Sequence, residues 1–257
     1  MKVDEAIKIM EQSRQTYDKI ATDFSRTRSS VWESKAFGQY AQDGDKVLDL
    51  GCGNGELTKK CMEKIGVKSA DGMDISESRI SSIEVGSGLK ILRSDIDQGL
   101  RYPSETFDVI TANQIIEHLD NTDKFIKETF RVLKPGGYLI ISTNNLAASH
   151  WIVMFILGIQ PPTACVSDEM CALKEFGSYN YERLHRRLFT LRGLREVLGF
   201  YGFKIEKEVG TYYFPLPVWL SRLVCLVDKW HASCITIKAR KPVAVKIEKK
   251  LASELSI

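Results

Sequence analysis

Two hydrophobic periods divide this chain. Over the first forty residues, Ile7, Met10, Tyr17 and Ile20 are spaced for one face of a helix, which predicts a helical cover over residues 1–45. After the turn at Asp43, Gly44 and Asp45 the pattern changes. Val47–Leu50 is a short apolar run that ends in glycines, and a helical stretch follows over Glu56–Ile65. Short strand patterns at Lys68–Met73, Leu89–Arg93, Phe107–Ala112 and Tyr138–Ser142 then alternate with helix patterns at Ser76–Val85, Thr122–Leu133 and Leu191–Tyr201. Alternation at these lengths predicts βαβ units and a mostly parallel sheet covered on both faces. Near the end the alternation breaks. Phe203–Val209 and Cys234–Ala239 both read as strands, joined by an apolar and aromatic link, Thr211–Ala232, with room for one helix. That arrangement predicts an antiparallel pair at the sheet edge. Lys241–Ile257 mixes charges with aliphatics and reads as a frayed tail.

Composition narrows the class without choosing a function. The 257 residues are 44% hydrophobic and 27% charged, which excludes a disordered chain, a collagen-like chain and a disulfide miniprotein. Lys plus Arg exceeds Asp plus Glu by only three, too little to imply a polyanionic partner. The opening MKVDEAIKIM lacks the apolar core of a signal peptide. Six cysteines lie scattered without a C-x-x-C pair, so reduced thiols, a cytoplasmic location and no structural zinc are expected. The longest apolar runs, Trp151–Ile159 and Leu216–Val227, fall short of the roughly 20 residues of a membrane span.

The strongest chemical signal is VLDLGCGNGELT at Val47–Thr58. An apolar strand runs into Gly51, Gly53 and Gly55, and a helix starts at once. Such a turn lets a ligand approach the backbone, and the helix start offers N–H groups to an anion. Asp49, just before the glycines, is placed to meet a cationic or hydroxylated ligand. The G-x-G-x-G spacing differs from the dinucleotide G-x-G-x-x-G, which favours a ligand without a pyrophosphate. Asp74 ends the next strand candidate, where a carboxylate can accept both hydroxyls of a ribose. The alternative role for Asp74 is to cap the helix beginning near Ser76. Asp95 sits at the tip of the third strand, either accepting from an adenine amino group or serving a turn.

These stretches resemble the class I S-adenosylmethionine-dependent methyltransferases. VLDLGCGNG is similar to the family's first motif, DGMD at Asp71–Asp74 to its second, and SDI at Ser94–Ile96 to its adenine contact. FDVITANQIIEHL at Phe107–Leu119 is similar to the fourth, and RVLKPGGYLII at Arg131–Ile141 to the segment leading into the fifth strand. The resemblance implies an α/β, Rossmann-like, doubly wound sheet of seven strands, mostly parallel with an antiparallel C-terminal strand. It also implies S-adenosylmethionine as cofactor. Asp49, Gly51, Cys52, Gly53 and Gly55 would hold the methionine portion, Asp74 and Ile75 the ribose side, and Asp95 and Ile96 the adenine. Asn113 would border the transferable methyl, and Tyr17 would lie on a helix folded over the cofactor.

Acceptor chemistry is less specified. His118 follows the fourth strand and is the candidate general base, or else a histidine that closes the turn. The ubiquinone-type members of the family carry E-x-x-E-H, whose acids and histidine bind a divalent metal. Here Gln114 replaces the first glutamate, and losing an anionic ligand weakens a hard-cation site, so no metal is expected. His185 and Arg187, in HRRLFT at His185–Thr190, resemble a stretch beside the acceptor pocket. The segments 144–181 and 211–232, outside the common core, are expected to form a lid around a small apolar or aromatic acceptor, with peripheral membrane contact through their apolar runs. A second resemblance, YDKIATDFSRTR at Tyr17–Arg28 followed by Trp32, is to the wobble-uridine tRNA methyltransferases, which makes tRNA the alternative acceptor. Those enzymes have proline after the tryptophan, where this chain has Glu33.

Overall fold

A computed structural model of the chain describes residues 45–243, apart from 56–57, 60–61, 63–66, 81–87, 162 and 165–184. The N-terminal cover with Tyr17, most of the tail, and parts of the 144–181 segment lie outside the described residues. Seven strands form one sheet: β1 (Val47–Leu50), β2 (Ala70–Asp74), β3 (Leu89–Arg93), β4 (Phe107–Asn113), β5 (Leu133–Asn144), β6 (Lys204–Thr211) and β7 (Cys234–Arg240). The spatial order is β3-β2-β1-β4-β5-β7-β6. Strands β1 to β5 pair in parallel, and β7 runs antiparallel to both β5 and β6. The expected mostly parallel sheet with a reversed C-terminal strand is thus the observed one.

Residues of the central strands alternate between two cores, as a period of two requires. Leu48 and Leu50, Ile110 and Ala112, and Leu139 and Ile141 face one side. That side is covered by α2 (Thr122–Val132) and α4 (Leu191–Phe200) through Phe125, Ile126, Leu194 and Leu198. Val47, Val109, Tyr138 and Ile140 face the other, against Met62 and Val67. Thr58, Lys59 and Met62 are helical, within the predicted helix after the glycines. Helix α1 (Glu77–Ile80) opens the predicted Ser76–Val85 helix. Both covering helices α2 and α4 start on side-chain caps: Asn121 accepts from the Lys124 N–H, and Thr190 from the Gly193 N–H.

Two differences from the sequence expectation lie at and after β5. Strand β5 is twelve residues long rather than the predicted five, because Leu133 already pairs with Phe107 before the register shifts to Val109–Tyr138. The Pro135–Gly136–Gly137 stretch, which reads as a break, is an irregularity within the pairing. The apolar run after β5 is helical, α3 (Ser149–Ile156), and the late link holds the expected helix, α5 (Val218–Val227). No helix among the described residues is long and apolar enough to cross a membrane.

Candidate active site

The strand order reverses between β1 and β4, and in open sheets ligands bind outside the carboxyl ends of the strands at such a point. The glycine motif leaves β1 here, and Asn113 ends β4 beside it. Gly51, Gly53 and Gly55 have φ of 75°, 56° and 74°, a region that side-chain-bearing residues avoid. At Gly51 the constraint is doubled: a Cβ there would lie 3.0 Å from the Ile115 side chain. The turn is tied to β2, with the Gly51 and Cys52 N–H groups donating to the Met73 carbonyl at 2.8 and 3.1 Å.

Asp49 points to the same sheet face as Val47 and is 6% exposed. The Thr111 hydroxyl, its register partner on β4, donates to Oδ1 at 2.6 Å. The Thr58 hydroxyl donates to Oδ2. Burial raises the carboxyl pKa from 3.8 to about 6, opposed by these two hydroxyls. A fold that keeps a buried acid beside a glycine turn, with no cation bonded to it among the described residues, holds a charge suited to a cationic ligand. The Cys52 thiol is pushed up to about 12 by burial and then by Asp49 and Asp74, so it is no nucleophile.

Asp74 takes the capping role and also ties the glycine turn to β2. Its Oδ1 accepts from the Ser76 N–H at 2.9 Å, as a cap does, and its Oδ2 accepts from the Gly53 N–H at 2.8 Å. The second bond ties it to the glycine turn, and each oxygen retains lone-pair capacity for a hydroxyl. Ile75 is 63% exposed beside it. Asp95 caps the 3₁₀ turn Ile96–Gln98, accepting from the Asp97 N–H at 2.9 Å, and Ile96 is buried. Asn113 accepts from the Ser142 hydroxyl through Oδ1. The left-handed glycine turn, the acid at the tip of β2 and the exposed apolar side chain next to it fit an adenosyl sulfonium ligand.

A family model described as a methyltransferase domain matches residues 28–208. The chain belongs to the class I S-adenosylmethionine-dependent methyltransferases. S-adenosylmethionine is therefore its cofactor. This methyltransferase is 28% identical over 184 residues to the mitochondrial ubiquinone biosynthesis O-methyltransferase of Rattus norvegicus, covering 67% of this chain and 48% of the relative. It is 29% identical to the ubiquinone biosynthesis O-methyltransferase of Thiobacillus denitrificans, covering 67% and 70%. The chain spans about half the length of most of the curated relatives it matches. Among solved structures, a complex of the Haloferax volcanii Trm112 methyltransferase activator with a methyltransferase superposes with a TM-score of 0.57 at 16% identity. It covers 85% of this chain and 93% of that one, and shows the shared fold.

After β4, the 3₁₀ turn Ile116–His118 meets the segment leading into α4. The Arg186 and Arg187 N–H groups donate to the Glu117 carbonyl at 2.7 and 3.1 Å, and Arg186 pairs with Asp120 at 2.8 Å. This brings His185 to His118, with ring centroids 5.0 Å apart. Arg187 instead turns to the Asp120 carbonyl, at 3.2 Å. Glu117 is 1% exposed and accepts from the Thr143 hydroxyl at 2.8 Å. The Gln114 amide nitrogen donates to Glu117 Oε1 at 3.2 Å, while its oxygen accepts from the Thr143 N–H at 3.1 Å. Gln114 holds φ of 55°, a strained value for a non-glycine residue. The E-x-x-E-H hard-cation pattern does not fit this arrangement, because an N–H donor faces Glu117 where a carboxylate would stand. No local spacing links Glu117 and His118 to His185, which lies 67 positions after His118.

Proposed function

We propose that this methyltransferase transfers the methyl group to a small apolar or aromatic acceptor, bound between the His118 turn and the segments 144–181 and 211–232. The observation that supports this most is the exposed apolar surface of α3 and α5. On α5, Trp219, Leu223, Leu226 and Val227 are 55–92% exposed at spacings that put them on one side. Ser221, buried, ties this helix inward by donating to the Tyr213 carbonyl at 3.1 Å. Val153, Phe155 and Ile156 of α3 are exposed as well, while Trp151 is buried. Apolar surface of this extent suits a greasy ligand or contact with a membrane surface. The names of the relatives place them in ubiquinone biosynthesis, in accord with an acceptor of that character.

The cofactor supplies a methyl already activated on a sulfonium. The protein's share is therefore to hold the acceptor in line and exclude water. In this reading Asp49 and the glycine turn orient the methionine portion, Asp74 holds the ribose, and Asp95 with Ile96 bounds the adenine. Asn113 lies beside the reacting atoms. His118, half-buried at the end of the turn after β4, accepts the proton of a hydroxyl acceptor. The test is methyl transfer from labelled S-adenosylmethionine into a lipid extract and into total RNA. Label in the lipid fraction is expected; label confined to RNA would replace this reading with tRNA modification.

A further inference from the structure

We infer that Thr58 and Thr111 are positioning residues of the cofactor site: their hydroxyls hold the Asp49 carboxyl beside the glycine turn, and S-adenosylmethionine binds to its ionised form with release of the proton to solvent. The inference rests on the reading that Asp49 faces the methionine portion. Three elements meet at this carboxyl. Asp49 stands on β1, Thr111 is its register partner on β4, and Thr58 lies in the helix that follows the glycines. All three side chains are buried. Each carboxyl oxygen accepts one hydroxyl, Oδ1 from Thr111 at 2.6 Å and Oδ2 from Thr58. The helix is joined to the turn through the Lys59 N–H, which donates to the Gly55 carbonyl at 2.9 Å. A carboxylate can accept more than two hydrogen bonds, so each oxygen keeps capacity for a ligand N–H.

A structural staple alone does not call for an acid here. An asparagine could bond both hydroxyls, since a hydroxyl donates to a carbonyl and accepts from an amide. Ionising a buried carboxyl whose bonded partners are hydroxyls is costly, and burial raises this one to about 6. Among the described residues, the titratable groups acting on it are Asp74 at the tip of β2 and the Cys52 thiol of the turn, and neither is a cation. The helix after the turn and β4 contribute the two hydroxyls, which favour the anion. The ammonium and sulfonium of the cofactor supply the missing positive charge. Binding therefore draws the carboxyl into its ionised form, and below about pH 6 the proton it carried passes to solvent.

Calorimetry of S-adenosylmethionine binding to the full chain tests this between pH 5.5 and 8.5, at each pH in two buffers of different ionisation enthalpy. More than about half a proton should be released per cofactor at pH 5.5, and the release should fade by pH 7. Asp49→Asn should bind more weakly and lose that release. Thr111→Val keeps the shape without the hydroxyl, and should move the midpoint of the affinity–pH curve up by about half a unit or more. Its affinity should be about twofold or more below wild type at pH 5.5 and converge with it at pH 8.5. A packing role alone would lower affinity by one factor at every pH. Thr111→Ser should restore the original midpoint, and Thr58→Val repeats the test if Thr111→Val does not fold. Binding without proton release at pH 5.5, release that persists in Asp49→Asn, or a uniform loss across pH in the valine variants would overturn the inference. Asp49→Asn binding as tightly as wild type at every pH would overturn the reading that Asp49 faces the cofactor, and this inference with it.

Discussion

The two ends of the sheet are built on opposite terms. Around β1, β2 and β4 the polar groups are buried and bonded to one another: Asp49 to two hydroxyls, and Asp74 to two backbone N–H groups. Beyond β5 the protein does the reverse, burying a few polar anchors such as Ser221 and leaving apolar helix faces in solvent. One common cofactor demands a fixed constellation at the first end. In the function proposed above, the second fits a particular acceptor, and side chains there answer to that ligand more than to the fold.

The comparison is broken most severely at the glycine turn. Gly51→Val adds a β-branched side chain at φ of 75° and 3.0 Å from Ile115, a cost of about 2 kcal/mol or more. Loss of S-adenosylmethionine binding by at least a hundredfold is expected in calorimetry, and retained binding would mean the cofactor lies elsewhere.

The two ends should also respond oppositely to acid. Asp49 holds its proton more tightly folded than unfolded, so its contribution to stability is full below about pH 3.8 and is lost as pH rises toward 6. Asp49→Asn should therefore stabilise the protein at pH 7.5 by about 1–3 kcal/mol, with the gain fading near pH 4, while weakening cofactor binding. On α3, burial lowers His150 from 6.5 to about 4, and its Nδ1 lacks a hydrogen-bond partner among the described residues. Here the unfolded chain takes the proton first, so stability is full above about pH 6.5 and is lost as pH falls toward 4. His150→Phe, packed between Trp151 and Phe214, should remove about 1–3 kcal/mol of that acid loss. Denaturant unfolding across this pH range reads both; a gain that grows in the same pH direction in both variants would refute the contrast.

The smallest effect is expected on the exposed helix. Leu226→Gln on α5 exchanges an 84% exposed side chain and should change stability by less than about 0.5 kcal/mol. Its effect should appear in binding to lipid vesicles or in the KM of an apolar acceptor. A large loss of stability would show that α5 is covered by part of the fold.

The cofactor end was largely legible in the sequence, because its constraints are local. A strand, three glycines and the next acid lie within 28 residues, Val47 to Asp74, and each signal repeats the others. The strand boundaries follow from alternation, and the reversed β7 from the late pair of strand patterns. The acceptor end was less legible, for two physical reasons. The apolar run Trp151–Ile159 has no polar face to give it a helical period, so α3 did not show as a helix. The Glu117, His118 and His185 cluster arises from backbone bonds across 68 residues, which no spacing encodes. Gln114, read as a missing ligand, proves to be the donor that holds Glu117.

The central claim is that cofactor binding belongs to the first end and acceptor choice to the second. Calorimetry of S-adenosylmethionine on Asp74→Ala and Trp219→Glu tests it most directly. Asp74→Ala should weaken binding by about 1–3 kcal/mol through lost charge-assisted hydrogen bonds, and Trp219→Glu should leave it unchanged. Equal losses in both variants, or none in Asp74→Ala, would contradict the division.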